Sequence, residues 1–394
     1  MKEKMKKTIL LFSVILLALS CRKDVIDKVV NLASLSADYE AKDGETLTGI
    51  LGGNYKITIA DGATVTLKDA VIYGVNSNVC QWAGITAIGD ATLVLEASNI
   101  VRGFYNEYPG IYIPKDKTLR IKGSGKLDVS SNGKAPGIGG VFYADENCGN
   151  IEILDGTIRA VAGEYCAAIG AAALSGCGNI TISGGFVTGT YHFDRKGATG
   201  IGTGRKRSRC GDILISGGTV VAEGGEDSAG IGSSYEATCG NITISGGTVT
   251  ARGGAFAASI GSGSGSDKDG DSYEPSVCGN ITISGGTVKA EGVNSISAAA
   301  IGSGVDNSVC GDILISGGTV DATGGDCSAG IGTGEKASVG NITITSGVTK
   351  VTAARGADAQ SHSIGGGTDY KRLGTVTIGG KAGPVSESPF VYTP

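Results

Sequence analysis

The segment 191–209 combines aromatic, imidazole and basic side chains in a chain whose formal net charge is −5. Its first group contains the residue types of an acid, a base and carboxylate binders: Tyr191, His192, Arg195 and Lys196. Its second group is basic throughout: Arg205, Lys206, Arg207 and Arg209. A local excess of positive charge attracts anions. The segment therefore predicts an anion-binding site, and an ordinary solvated loop is the alternative.

The same residues fit the cleavage of a uronate polysaccharide by β-elimination. This reaction removes a proton next to a carboxylate, so a base must reach the proton and an acid must protonate the leaving oxygen. Cationic groups must offset the charge that develops in the transition state. We assign His192 as the base, Tyr191 as the acid, and Arg195 and Lys196 to charge stabilisation. The basic group at 205–209 is assigned to substrate binding.

Two other segments could hold a ligand. Asp267, Asp269 and Asp271 surround Gly270 in an insertion, and clustered carboxylates favour Ca²⁺, the only cofactor that the sequence indicates. The insertion lacks the terminal Glu at EF-hand spacing, so a flexible polar loop is the alternative. The aromatic-rich stretch 105–112 either stacks sugars or closes a loop.

These residues are embedded in a repeat whose clearest copy is CGNITISGGTVTARGG at 239–254. A second phrase ending in Ile-Gly follows each copy, and repeats of this length indicate stacked architectures. The period-2 alternation of Ile242 with Ile244 and of Val249 with Ala251, followed by Ile260, predicts three short strands per coil. We predict an all-β fold, a right-handed parallel β-helix of about ten coils, over a β-propeller, whose blades need more residues.

The repeat predicts which residues stack from coil to coil. One Ile in each coil, which we call the Ile mark, is expected to stack in a single column. The Ile marks are Ile85, Ile111, Ile138, Ile169, Ile201, Ile231, Ile260, Ile301, Ile331 and Ile364. A column of packed thiols is expected from Cys148, Cys177, Cys210, Cys239, Cys278 and Cys310, in preference to metal ligands or disulfides. A column at a turn is expected from Asn150, Asn179, Asp212, Asn241, Asn280, Asp312 and Asn341. Five coils separate His362 from His192, about 24 Å, so the two histidines are not expected to share a site.

The N-terminus has the pattern of an export signal. Lysines precede an apolar run from Thr8 to Leu19 that is too short to span a membrane. Leu17 to Cys21 resembles a bacterial lipoprotein cleavage box, which implies lipidation of Cys21; a plain secretory signal is the alternative. The predicted organisation is a signal peptide at 1–20, a tether and cap at 21–44, the β-helix at 45–379 and a C-terminal cap at 380–394.

Composition and motifs exclude several functions. An acidic chain with a pI near 5.3 is not expected to bind nucleic acid. Aromatic residues are only 5% of the chain, which disfavours an extended stacking platform. No nucleophile elbow, zinc motif, phosphate loop or dinucleotide-binding phrase occurs.

The lipoprotein-like start and the coils over about 45–380 together resemble repetitive surface lipoproteins of Bacteroidota. This resemblance implies an outer-membrane lipid anchor and display at the cell surface, with the periplasmic face as the alternative. Similar β-helical lipoproteins include glycan-binding or adhesin-like proteins and polysaccharide lyases acting on glycosaminoglycans or pectins. Two hypotheses follow: a lyase for an acidic polysaccharide such as a glycosaminoglycan, centred on 191–209, and a non-catalytic glycan binder or adhesin.

Overall fold

The computed structural model describes residues 28–143, 148–192, 197–265, 274–292, 296–358 and 360–394. These residues form a right-handed parallel β-helix of about ten coils, as predicted. A single turn of 3₁₀-helix at Leu32–Ser34 is the only helical element in these ranges. No helix in the described ranges is long and apolar enough to cross a membrane.

The strands fall into three sheets that run along the rod. The first sheet contains Val29–Asn31, Thr46–Ile50, Ala63–Ile72, Ala91–Glu96, Ser98–Arg102, Thr118–Lys122, Lys126–Ser130, Asn150–Ile153, Thr157–Ala162, Ile180–Ile182, Phe186–Tyr191, Ile213–Ile215, Thr219–Glu223, Ile242–Ile244, Thr248–Arg252, Ile281–Glu291, Ile313–Thr323, Ile342–Ile344, Lys350–Ala354, Val376–Ile378, Lys381–Ala382 and Phe390–Tyr392. The second sheet contains Tyr39–Ala41, Ile57–Ile59, Ile85–Ala87, Ile111–Tyr112, Ile138–Gly139, Ala167–Gly170, Thr199–Gly202, Ile231–Gly232, Ile260–Gly261, Ile301–Gly302, Ile331–Gly332 and Ile364–Gly365. The third sheet contains Gly176–Cys177, Arg209–Cys210, Thr238–Cys239, Val277–Cys278, Val309–Cys310, Ser338–Val339 and Arg372–Leu373.

The core consists of the apolar positions of each strand. Ile242, Ile244, Val249, Ala251 and Ile260 have no exposed surface. Burying an Ile or Val side chain contributes about 1.5–3 kcal/mol, and each coil obtains this burial by stacking on its neighbours. The predicted column of Ile marks is confirmed, because each mark pairs in parallel register with the next from Ile85 to Ile364.

The cysteines form the predicted column of buried thiols. Cys177, Cys210, Cys239, Cys278 and Cys310 pair in register through the strands of the third sheet. These two-residue strands give the later coils a fourth strand beyond the three that alternation predicts. Hydrogen bonding to Cys310 and burial raise the pKa of the Cys278 thiol well above its usual range. The pKa values of Cys177, Cys210 and Cys239 are raised in the same way, so these four thiols are protonated packing groups.

The Asn and Asp side chains also form their predicted column, and the structure shows how it works. Each side-chain Oδ1 accepts a hydrogen bond from the backbone N–H of the equivalent residue in the next coil. Asn241 accepts from Asn280 at 2.9 Å, and Asn280 accepts from Asp312 at 2.8 Å. The same bond joins Asp61 to the N–H of Asp90 in the N-terminal coils, where the sequence did not predict it.

The second sheet changes character along the rod. Its outward position carries Thr86 and then Tyr112, and glycine occupies this position from Gly139 onward. A Cβ at Gly232, where φ is +136°, would lie 1.9 Å from the Gly261 carbonyl oxygen. Glycine is therefore required where the backbones of adjacent coils approach this closely.

A backbone roof covers the glycine part of the second sheet. The loop before each strand of this sheet is called the leading loop, and the loop after it the trailing loop. Trailing-loop N–H groups donate to leading-loop carbonyls of the preceding coil, for example Arg205 to Tyr165 at 2.8 Å. The first described bond of this kind joins Phe142 to Glu107 at 2.9 Å. The roof begins there, so the second sheet is open in the earlier coils.

The chain reverses direction at its C-terminal end. Lys381–Ala382 pairs antiparallel with Val376–Ile378, and Phe390–Tyr392 pairs antiparallel with Lys350–Ala354. These pairings satisfy backbone groups at the last coils, which would otherwise form an open sheet edge.

Candidate functional site

The trailing loops form a groove on the roofed side of the rod. Two adjacent cavities of about 310 and 340 Å³ share Leu174 and Lys206 as lining residues. The first is also lined by Phe142, Tyr143, Tyr165, Ala173 and Arg205. The second is also lined by Arg207, Glu236 and Glu274. We call these two cavities together the basic groove.

Arg205 is held tightly at the centre of the groove. Its guanidinium carbon lies 5.4 Å from the ring centre of Tyr165 and 4.5 Å from that of Tyr235. Its Nη2 lies 3.2 Å from a carboxylate oxygen of Asp227, and only 19% of the Arg205 side chain is exposed. Stacked, half-desolvated arginines of this kind contribute to packing. Arg205 therefore organises the loops, with its charge already balanced by Asp227.

Gly197 and Tyr165 also lie against Arg205. A Cβ at Gly197 would lie 2.3 Å from Arg205 Cδ, so the arginine fills the space that a side chain at 197 would need. Hydrogen bonding to Glu164 and burial raise the pKa of Tyr165, which keeps its phenol protonated. The ring of Tyr165 is therefore a neutral wall of the groove.

Lys206 and Arg207 present the accessible positive charge. Both side chains are exposed, and their residues have consecutive φ angles of +52°. Their backbone N–H groups donate to Tyr235 O at 2.8 Å and Glu236 O at 2.7 Å, which holds the turn in place. In the corresponding turn at Asp306 and Asn307, φ is +46° and +53°. The first residue of this turn is also left-handed in other coils, at Tyr143, Leu174, Glu236, Lys336 and Asp369, so the conformation belongs to the fold.

The ion pairs of this turn are weak. Arg207 Nε lies 3.5 Å from Glu274 Oε1, and both side chains are more than half exposed. Such a pair contributes about 0–1 kcal/mol and exchanges readily with another anion. Within the described ranges, Lys206 and Arg209 make no ion pair.

Tyr191 and His192 end a strand of the first sheet. Tyr191 is partly buried against the core, and His192 is exposed. Burial and the nearby Glu223 carboxylate raise the pKa of Tyr191. Glu223 also accepts a hydrogen bond from Thr190 Oγ1 at 2.9 Å. Tyr191 thus lies near a carboxylate.

Several predicted site residues lie outside the described ranges. They are Arg195, Lys196, Asp267, Asp269, Asp271 and Cys21. The predictions of a catalytic role, a calcium loop and lipidation for these residues stay predictions. The described residues contain no group of three or more His, Cys, Asp or Glu side chains arranged to hold a metal ion.

Sequence reasoning did not find the groove walls. Tyr143, Tyr165 and Tyr235 come from three different coils and meet Arg205 or its neighbours only through stacking. Glu236 enters the second cavity from the coil after the basic turn. No sequence signal distinguishes them, because equivalent loop positions in other coils also carry large or charged residues, such as Glu335 and Lys336.

The fold and the repeat together make this chain a β-helix repeat protein. A family model described as Beta helix repeat matches residues 213–235, 242–264, 281–305 and 313–335. The first two segments each cover two strands of the first sheet and the last two each cover one long strand of it, and all four include the following Ile-Gly strand. No match is found among curated proteins or among solved structures.

Proposed function

We propose that the protein binds a uronate-containing polysaccharide, such as a glycosaminoglycan, in the basic groove. The observation that carries this proposal is the exposed pair Lys206 and Arg207, which lines the groove and makes, within the described ranges, only a weak ion pair with Glu274. A local excess of positive charge in an acidic chain attracts anions. The charge of these two side chains is therefore available to an acidic ligand.

The groove offers the two kinds of contact that a charged sugar needs. Lys206 and Arg207 can bind carboxylate or sulfate groups, and arginine does so with two parallel hydrogen bonds. Tyr143 is 66% exposed and packs edge-on against Phe142, with ring centres 4.2 Å apart. This contact fixes an aromatic surface beside the charges, against which the apolar face of a sugar ring can lie.

Affinity measurements test this proposal directly. The double variant Lys206→Gln/Arg207→Gln is compared with Lys122→Gln/Lys126→Gln, which removes two exposed charges from the first sheet. Titration calorimetry with hyaluronan, chondroitin sulfate and polygalacturonate should show at least one ligand bound by the native protein. We expect a loss of about tenfold or more in the groove variant, since each charge-assisted contact contributes about 1.5–3 kcal/mol. Equal affinity of the two variants would contradict the proposal.

Cleavage by β-elimination at Tyr191 and His192 is a second proposal. It is supported by the presence of an acid type and a base type at the end of one strand, whereas the raised pKa of Tyr191 makes its phenol a weaker proton donor and opposes the proposal. The Glu223 carboxylate opposes it, since it repels the carboxylate of a uronate. Cleavage is tested by incubating the protein with each polysaccharide and recording the ultraviolet absorbance of unsaturated uronate products. No product from any of the three polysaccharides, with or without calcium, would leave binding as the function.

We further propose that Cys21 anchors the rod to the outer membrane with the groove displayed at the cell surface. The support is the lipoprotein-like sequence from Leu17 to Cys21. Cys21→Ala should move the protein from the detergent phase to the aqueous phase in a partition experiment. Display is tested by adding protease to intact cells, where full protection of the native protein would favour the periplasmic face.

A further inference from the structure

A second cleft lies where the second sheet is not roofed. The outward residues Thr86 and Tyr112 form its floor, and Trp82 and Tyr108 come from the leading loops of the same coils. Val141 ends the cleft at the point where the backbone roof begins. The volume is about 280 Å³, close to the lower limit of roughly 300 Å³ for small-ligand sites.

The aromatic rings of the cleft are fixed in place. The Trp82 and Phe104 ring centres lie 5.6 Å apart with an interplanar angle of 39°, and Phe104 is fully buried. The Tyr108 and Tyr105 ring centres lie 6.4 Å apart. Rings held by such packing lose little freedom when a ligand binds, which favours affinity.

The chemistry of the lining fits a sugar ring. An aromatic face is negative and the C–H groups on one face of a pyranose are weakly positive, so the two surfaces attract each other. Lys56, Gln81 and Thr86 add donors and an amide carbonyl at the edge, which suit hydroxyl groups. None of the described lining residues is a carboxylate, unlike the basic groove with Glu236 and Glu274.

The cleft and the basic groove are lined by neighbouring residues of one coil. Val141 lines the cleft and its neighbour Phe142 lines the groove. Three coils separate the Ile111 and Ile201 positions, which is about 14 Å. A single extended polysaccharide chain along the rod can therefore occupy both.

We propose that the cleft at Trp82, Tyr108 and Tyr112 is a stacking subsite for a pyranose ring of the same polysaccharide. This inference rests on the proposed function, since it assigns the same ligand to both sites. Ring-face stacking does not depend on charge. Neutral oligosaccharides therefore probe the cleft without help from Lys206 and Arg207.

The chain has one tryptophan, so its fluorescence reports on the cleft alone. Cellohexaose and mannohexaose are titrated while the emission of Trp82 is recorded. We expect a saturable change with at least one of them, weakened about tenfold or more by Tyr112→Thr. Threonine is already the residue at this register position in the preceding coil, so the substitution suits the sheet. The matched control is Tyr370→Thr, which removes a partly exposed ring at the other end of the rod.

The outcomes separate the two proposals. No saturable change with either hexasaccharide, or full affinity in Tyr112→Thr, overturns the cleft as a subsite. Binding of a neutral hexasaccharide without binding of the acidic polysaccharides overturns the proposed function of the basic groove and the shared ligand, and leaves the cleft as a site for a neutral sugar. The variant Lys122→Gln/Lys126→Gln, which lies outside both regions, should bind the neutral ligand as the native protein does.

Discussion

Replacing the basic turn with residues that tolerate its backbone should make the protein more stable and less able to bind. The change is Lys206→Asn/Arg207→Asn, at two residues with φ of +52°. The sibling turn at Asp306 and Asn307 shows that the β-helix accepts short polar side chains in this conformation. Stability and binding should therefore move in opposite directions.

The size of the effect follows from the backbone. A left-handed conformation costs an ordinary L-residue about 1–2 kcal/mol, and Asn is among the few residues that adopt it routinely. If Asn recovers about half of this, the gain is about 0.5–1 kcal/mol per position and about 1–2 kcal/mol for the pair. The exposed Arg207–Glu274 pair subtracts about 0–1 kcal/mol from that gain.

Urea unfolding followed by circular dichroism measures the change, and titration with the acidic polysaccharides measures binding. The reciprocal variant Asp306→Lys should lose about 0.5–1 kcal/mol and leave binding unchanged. Lower stability of Lys206→Asn/Arg207→Asn would refute the argument that this turn is strained. Higher stability with full binding would show that the strain has no link to the ligand.

Three further predictions concern the rod. Asn280→Ala should lower the free energy of unfolding by about 0.5–1.5 kcal/mol in urea, because the Asp312 N–H loses its 2.8 Å acceptor. Asn280→Asp keeps the acceptor and adds only a negative charge, so any loss of stability that it shows should become smaller in high salt. Gly232→Ala should prevent stable folding or lower the melting temperature strongly, whereas Gly62→Ala, with φ of +75° and nothing within 4 Å of its Cβ, should cost about 1–2 kcal/mol. Burial would raise the pKa of Glu45, but hydrogen bonds from the Lys42 N–H, Lys28 and Tyr39 outweigh it and lower the pKa. The stability that ionised Glu45 contributes is therefore fully present above the unfolded pKa of about 4.3, and it is lost as the pH falls through the lower folded pKa. In this acid range the melting temperature of the native protein should fall more than that of Glu45→Gln.

The β-helix could be predicted from the sequence because each of its stacked columns consists of one residue type or of two similar ones. Each Ile mark, thiol and Asn or Asp position recurs at the same place in the repeat, and parallel stacking places equal positions in contact. The backbone roof could not be predicted in this way. It is made of N–H and carbonyl groups such as those of Arg205 and Tyr165, which every residue carries.

The basic group could be identified from the sequence, but the surroundings of its residues could not. The sequence identified Arg205, Lys206 and Arg207 as one basic group, yet the structure gives them different surroundings. Arg205 is stacked between tyrosines of neighbouring coils and paired with Asp227, a partner 22 positions away in sequence. The left-handed turn could not be predicted from the sequence either, because Lys and Arg are not residues that favour turns.

The sharing of one coil by the cleft and the groove has an evolutionary consequence. A coil inserted on either side of Val141 and Phe142 would separate residues that line one of the two regions, since these neighbours line the cleft and the groove respectively. Because each coil depends mainly on its two neighbours, coils can instead be duplicated or deleted beyond the two regions without changing either. Each such event would change the length of the rod by about 4.8 Å, the rise of one coil, and would leave the residues proposed to contact the sugar as they are.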